Sequence, residues 1–330
     1  MLGGLCDRLV KEDVPLAGAR LTVTSLDPMV AQRQLRWRRS DARVTEEIHF
    51  HGMAATVGGA ADSANLTLAL PGTRHQIEFL AERSEGFEAK TRNYLNAIAL
   101  ATAAALQAVV EKEISRSLLQ AYLGRRVADR VLNGTIRRGT GEVIDAVVWV
   151  SDLRDFTRLS ETLSSSQLIM ALNDCCARLV GAIQPFGGEV LKFIGDGLLA
   201  IFPVSPKGEG AACNAALSPV RAARDGMARL DRERLNMNLP PLPFGVGLHL
   251  GSVVYGNIGA PDRLDFTAIG PAVNVASRIE GLCKELGCPV LISQAVAMPS
   301  TIPLATMATY SLRGSASPVA LYTFPEMALK

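Results

Sequence analysis

The sequence predicts an α+β protein in three segments: a small strand-and-helix domain over 1–90, a helical linker over 91–142, and a larger mixed domain over 143–330. Three observations predict this. Short alternating runs fill the first segment, a helical period of three to four fills most of the second, and the third reads strand, helix, strand, strand, helix, strand. At 330 residues the chain is long enough for two domains.

In the first segment Ala19–Ser25 and Ala64–Leu70 alternate apolar and polar residues, and Gln76–Ala81 is a third strand candidate. Pro71-Gly72-Thr73 reads as the turn between the last two. Arg33 to Arg39, around Trp37, reads as a strand with a solvated basic face, and His49 and His51 flank Phe50 as strand surface. The pattern turns helical from Gly86 to about Val131. Leu95, Ile98, Thr102, Ala105 and Val109 share one predicted face, on which the Thr102 hydroxyl can bond back to the preceding turn. The small residues suit close helix packing, either inside the first domain or across a dimer. Gly124 to Gly141 is a basic, glycine-punctuated connector.

The third segment begins with a strand over Ala146–Ser151 that leads to Asp152. A helix over about 165–186 follows, with Ser164–Ser166 to cap it and Gly187-Gly188 to stop it. Glu189–Ile194 and Leu198–Val204 form a hairpin whose tip, Gly195-Asp196-Gly197, carries the Asp-Gly turn signal. A long helix runs over about 208–235. Phe244–Leu250 and Ser252–Asn257 read as a further pair of strands, Leu264–Ile269 as a strand and Ala272–Leu286 as a helix. This order resembles a ferredoxin-like palm.

A net charge of +2 gives no surplus that demands nucleic acid or a membrane surface. The opening Met-Leu-Gly-Gly-Leu-Cys-Asp-Arg is no signal peptide, and the apolar stretch from Ala97 to Val110 falls short of the roughly 20 residues of a membrane span. The expectation is a soluble, cytoplasmic protein. Its six cysteines form no CxxC pair and accompany no histidine cluster, so buried, reduced thiols are expected in place of a disulfide or metal framework.

Asp152, in Val-Ser-Asp-Leu-Arg-Asp-Phe-Thr, and Asp196, in Lys-Phe-Ile-Gly-Asp-Gly, each sit where an apolar strand gives way to a turn. If the two strands are neighbours, the carboxylates meet. Two such groups repel unless a cation neutralises them, and Mg²⁺ favours oxygen ligands that it shares with substrate phosphates. These two runs, followed by Gly-Leu-His-Leu-Gly-Ser-Val-Val-Tyr-Gly-Asn-Ile-Gly and Asp-Phe-Thr-Ala-Ile-Gly-Pro-Ala-Val-Asn-Val-Ala-Ser-Arg, resemble the class III nucleotidyl cyclases. The chain looks closest to bacterial adenylyl cyclases with Thr in the base-recognition position. The likeness covers roughly 143–326. The first segment resembles small GAF-like sensor domains of α/β type by pattern alone, and nothing in it says what effector it would bind.

The resemblance implies an adenylyl cyclase that converts ATP to 3′,5′-cyclic AMP and pyrophosphate. It assigns Asp152, Asp196 and the Leu153 carbonyl to two Mg²⁺ or Mn²⁺ ions, and Phe156 and Thr157 to the loop that meets the phosphates. It gives purine reading to Lys192 and Thr267, ribose orientation to Asn274 and transition-state charge to Arg278. An ammonium suits adenine N1 and a hydroxyl oxygen suits its amine, whereas guanylyl cyclases place an acidic residue where Lys192 stands. The family takes the metal pair from one protomer and the base-reading, Asn and Arg residues from its partner, so a homodimer would build two sites. Either Asp152 or water would take the hydroxyl proton.

Two positions depart from the family pattern. Asp155 stands where most relatives have Gly, Ser252 where animal cyclases carry an Arg, and Arg313 is a candidate to compensate. Gly187-Gly188-Glu189 has the letters of a diguanylate cyclase motif but sits at a helix end. Thr267 is associated in the family with a response to bicarbonate. Two further readings stay open: a catalytically silent dimeric module that binds a nucleotide or another effector, and a guanylyl cyclase.

Overall fold

The computed structural model describes residues 1–24, 30–51, 64–71, 73–135, 137–312 and 318–328. Arg313, and Gly72 of the expected turn, lie outside the described residues. The chain divides into two compact units, Met1–Asp129 and Arg130–Lys330.

The first unit holds α1 (Leu2–Lys11), β1 (Leu16–Thr24), β2 (Val30–Arg38), β3 (Arg43–Phe50), β4 (Leu66–Ala69), β5 (Gln76–Ala81) and α2 (Ala89–Leu123). Its five strands lie in the order β3-β2-β1-β5-β4 and every pairing is antiparallel. This unit is therefore α+β, not the α/β expected from its alternation of runs. Sequence cannot separate the two, because pairing direction leaves no mark on a single strand. Leu16, Ala19, Leu21, Trp37, Ile77 and Phe79 build the core with Leu2, Cys6 and Leu9 of α1.

The buried face of α2 is Leu95, Ala99, Ala103, Leu106 and Val110. The expected face was rotated by about one residue: Leu95 belongs to it, but Val109 is 61% exposed. Alanine and apolar residues surround this helix on all sides, so periodicity alone cannot select the packed face. Among the described residues α2 is the helix long and apolar enough to cross a membrane, with a mean hydropathy of 1.4 over its best window. Within its unit, the face just named is committed to the core.

A short helix, α3 (Arg125–Leu132), breaks the expected basic connector. Beyond it come β6 (Gly141–Leu153), α4 (Phe156–Thr162), α5 (Ser165–Ile183), β7 (Glu189–Ile194), β8 (Gly197–Pro203) and α6 (Glu209–Asn236). The chain continues through β9 (Phe244–Ala260), β10 (Arg263–Ile269), α7 (Pro271–Glu285), β11 (Val290–Ser293), α8 (Gln294–Ala297), β12 (Ala305–Tyr310) and β13 (Val319–Thr323). The sheet runs β12-β13-β11-β9-β6-β8-β7, with β10 paired to β9. Sequence reading missed α4 and the elements after α7, which are short.

Local chemistry explains the boundaries. Ser164 and Gln167 form a reciprocal capping box at the start of α5, and Gly187, at φ 82°, closes the turn after it. Val147 and Trp149 of β6, Leu198, Ala200 and Phe202 of β8, and Val246, Leu248 and Leu250 of β9 face one core with α5 and α6. Cys175 and Cys213 lie in that core, where burial pushes their thiols up to about 12 and about 11.

The expected pair of strands around Gly251 is one continuous 17-residue strand, β9. Gly251 makes no turn and pairs with Ala146 in register. A Cβ there would sit 3.0 Å from the Cβ of Ala272, so this glycine serves the close approach of α7.

Candidate active site

Strand β6 lies between β9 and β8 and delivers Asp152 one residue before its end. Ser151 pairs with Leu198 on one side, and Asp152 pairs with Gly245 on the other. The β7–β8 hairpin closes between Ile194 and Gly197, with Gly195 at φ 62°, and so returns Asp196 to the end of β6. The hairpin tip can lie this close because residue 197 is glycine: a Cβ there would meet the Ser151 carbonyl at 2.9 Å and Asp152 Oδ1 at 3.0 Å.

Asp152 and Asp196 come within hydrogen-bonding reach of each other. The Asp152 carboxyl is raised to about 7, first by burial, then by the Asp196 charge and the hydrogen bond to it, and further by Glu280. Two acidic oxygens held this way suit a divalent cation. Among the described residues no group of three or more His, Cys, Asp or Glu side chains could hold a metal by itself. The pair therefore fits ions that bring further oxygen ligands with a triphosphate, and it does not form a protein cage. Leu153 closes the strand opposite Phe244, with its side chain buried.

Lys192 lies on β7 and Thr267 on β10. The ammonium of Lys192 donates to Asp265 Oδ2 at 2.9 Å. Asp265 and Thr267 are two apart on β10 and share a face. Thr267 is 3% exposed, and its Oγ1 finds no hydrogen-bond partner among the described residues. A buried hydroxyl without a partner is costly in a finished fold, but it is suited to meet a ligand.

Asn274 and Arg278 stand four apart on α7, Asn274 exposed and Arg278 half-buried. Neither side chain makes a hydrogen bond or ion pair with the described residues, and none joins them to Asp152 or Asp196. Phe156 and Thr157 open α4, where Phe156 packs against the main core and Thr157 is exposed. A cavity of about 540 Å³ lies between α4 and residues 238–243, and neither Asp152 nor Asp196 lines it.

Sequence reasoning missed four residues. Asp265 holds Lys192. Lys284 donates to Asp155 Oδ1 at 2.7 Å and holds that carboxyl below its usual range. Arg154 and Glu280 form a buried ion pair at 2.8 Å. The signal for Asp265 was present in its i, i+2 spacing from Thr267. The other three meet across more than 120 positions and leave no local trace. Ser252 donates to Asp145 on the neighbouring strand.

Residues 142–314 match the adenylate and guanylate cyclase catalytic domain family, more than half of the chain. The chain belongs to this family. An adenylate cyclase of Anabaena cylindrica is 36% identical over 156 residues, covering 46% of this chain and 30% of that protein. Adenylate cyclase 1 of Rhizobium meliloti is 33% identical over 149 residues, covering 44% of this chain and 22% of its own length. These matches therefore span less than a third of either relative. Among solved structures, the adenylyl cyclase CyaB of P. aeruginosa is 30% identical with a TM-score of 0.52, covering 56% of this chain and 95% of that one. The guanylyl cyclase Cya2 is 26% identical with a TM-score of 0.50, covering 56% and 92%.

Proposed function

We propose that the protein is an adenylyl cyclase that converts ATP to 3′,5′-cyclic AMP and pyrophosphate. The observation that carries this is the meeting of Asp152 and Asp196 at the end of β6, in a chain that also holds Lys192 of β7 against Asp265 of β10 and leaves the buried Thr267 hydroxyl, two residues further along β10, without a partner among the described residues.

Asp152, Asp196 and the Leu153 carbonyl would hold two Mg²⁺ or Mn²⁺ ions. When bound, such ions lower the pKa of the ribose 3′-hydroxyl and neutralise the triphosphate. Asn274 orients the ribose so that O3′ faces the α-phosphorus. The 3′-hydroxyl proton passes to Asp152 or to water, the O3′–P bond forms, the bond from that phosphorus to the bridging oxygen breaks, and pyrophosphate leaves with the electron pair. Arg278, permanently charged and planar, meets the charge that develops on the α-phosphate oxygens. Phe156 and Thr157 place the start of α4 beside the phosphates.

Base choice follows from donors and acceptors. Lys192 donates to adenine N1, and the Thr267 oxygen accepts from the exocyclic amine. Guanine would turn an N–H toward the ammonium and an acceptor toward the threonine. Thr267 can donate its own proton to that acceptor, but Lys192 has no acceptor to offer in exchange. ATP is therefore favoured over GTP, and the chain falls in the subtype that reads the base with Thr.

A homodimer supplies the halves that one chain does not join. Large apolar side chains stand exposed beside the site elements: Phe193 53%, Ile194 57%, Val254 40% and Ile269 46%. Val254 and Ile269 are direct cross-strand neighbours. A partner covering them would remove that surface from water. The first unit is a sensor domain in this reading, supported by its separate core and by its position before the cyclase domain.

The test is product identification. The purified full-length dimer, given Mn²⁺ and either ATP or GTP, is expected to release cyclic AMP at a rate well above cyclic GMP. Asp196→Ala is expected to abolish it. A dimer that makes neither cyclic nucleotide would leave a silent binding module as the better account.

A further inference from the structure

Arg154 follows directly after the end of β6, whose last two residues are Asp152 and Leu153. Its backbone N–H donates to the Pro243 carbonyl at 2.7 Å, ahead of β9. Its guanidinium crosses β9 and reaches α7. There Nη2 lies 2.8 Å from Glu280 Oε1 and donates to the Glu280 carbonyl at 3.2 Å. The two side chains are 17% and 9% exposed, far below the surface ion pairs of this molecule.

The route is built for this crossing. A Cβ at position 245 would sit 1.6 Å from Arg154 Nη2 and 2.6 Å from Glu280 Oε1, so only glycine leaves the passage open. Two residues on, a Cβ at Gly247 would meet the Ala276 carbonyl and the Glu280 backbone nitrogen, each at 2.5 Å. Gly245 is the register partner of Asp152. Glu280 lies two residues beyond Arg278 and six beyond Asn274 on α7. One largely buried ion pair thus spans from the end of β6, beside Asp152, to the helix of Asn274 and Arg278.

We infer that Arg154 and Glu280 are a positioning pair, which fixes the end of β6, with Asp152 and the Leu153 carbonyl, against the helix that presents Asn274 and Arg278. The inference rests on the cyclase reading above. Neither residue touches substrate; both act through the groups they hold. In a homodimer whose sites each take their carboxylates from one chain and their Asn and Arg from the other, this pair also joins one site to its twin.

A role of charge alone must be separated from a role of geometry, because Glu280 also acts on Asp152 through its field. Two variants do this. Arg154→Lys keeps the charge but shortens the side chain on the crossing, so its ammonium falls short of the carboxylate and the carbonyl that Nη2 meets. The double variant Arg154→Met, Glu280→Gln removes both charges and leaves the local sum unchanged. Replacing a buried pair as a whole is often tolerated by the fold.

The probe is Mn²⁺ with 3′-deoxy-ATP, which lacks the attacking hydroxyl and cannot cyclise. Bound Mn²⁺ is read by electron paramagnetic resonance on the full-length chain. Both variants are expected to unfold cooperatively, to bind Mn²⁺ about tenfold more weakly, and to lose about tenfold or more in kcat with KM for ATP changed less than about threefold. Wild-type Mn²⁺ affinity in both folded variants overturns this inference and leaves the cyclase reading standing. A wild-type chain that takes up no Mn²⁺ with this nucleotide removes both.

Discussion

Lys192 and Asp265 meet at 2.9 Å between β7 and β10, with side chains 35% and 54% exposed. An ammonium has three donors, so Asp265 can steady Lys192 and still leave a proton for a base. Asp265→Ala is expected to raise KM for ATP by about two- to fivefold, the worth of a half-exposed ion pair, with kcat changed little. Lys192→Glu brings two carboxylates together and removes the N1 donor; ATP turnover is expected to fall by about a hundredfold. Steady-state kinetics with both nucleotides checks each. An unchanged KM in Asp265→Ala would show that Lys192 is placed by something other than this carboxylate.

Asp155 occupies a left-handed backbone conformation at φ 54°, a region that glycine enters without the steric cost of a Cβ. Its carboxylate is held by Lys284, and both side chains are more than 60% exposed. Lys284→Ala is expected to free that negative charge beside the phosphate loop and raise KM for metal–ATP about threefold, an effect that shrinks as salt is added. Asp155→Gly in the same background is expected to restore the wild-type value. Kinetics at low and high ionic strength measures both. A Lys284→Ala effect that persists in the Asp155→Gly background would place the cause elsewhere on α7.

What was legible in the sequence was local. Asp196 could be placed because a hairpin tip is written in three consecutive residues, and the Ser164 cap because it lies next to its helix. Gly251 was misread because a glycine in a strand is equally a turn or a site of close approach, and only Ala272 decides. The packed face of α2 was misassigned because its residues are apolar on every side. Asp155 was recognised as unusual, but its answer, Lys284, lies 129 positions away. Residues that carry chemistry announced themselves by motif; residues that hold them did not.

Two glycines near α7 should respond oppositely to alanine. Gly247→Ala forces a methyl to 2.5 Å from the Ala276 carbonyl and the Glu280 nitrogen, both backbone atoms that cannot swing away. A loss of about 2–3 kcal/mol is expected, with a drop in kcat as α7 lifts. Gly281 lies within α7, is exposed, and would place its Cβ in open space. Gly281→Ala is expected to gain about 0.5–1 kcal/mol from helix propensity. Urea unfolding of the pair checks the contrast. Equal effects would show that α7 does not press on β9 as described.

His249 sits on β9 with Nδ1 2.9 Å from the buried Ser293 hydroxyl. Burial lowers its pKa from 6.5 to about 4. The folded state thus resists a proton that the unfolded chain accepts. The contribution is complete above pH 6.5, declines as pH falls through the interval down to about 4, and is lost below it. At 1.36 kcal/mol per pKa unit the loss is about 3 kcal/mol. The carboxyl of Asp152, raised to about 7, pulls the opposite way, since its folded state favours the proton. The two are separated by comparison with His249→Asn, which keeps an acceptor for Ser293 but cannot titrate. Unfolding free energies measured from pH 7 to 4 are expected to fall more steeply in the wild type than in the variant, and the curves should run parallel above pH 6.5. Parallel curves throughout would mean that His249 exchanges its proton in the folded protein as readily as in the unfolded chain, and that the space between β9 and Ser293 is open to water.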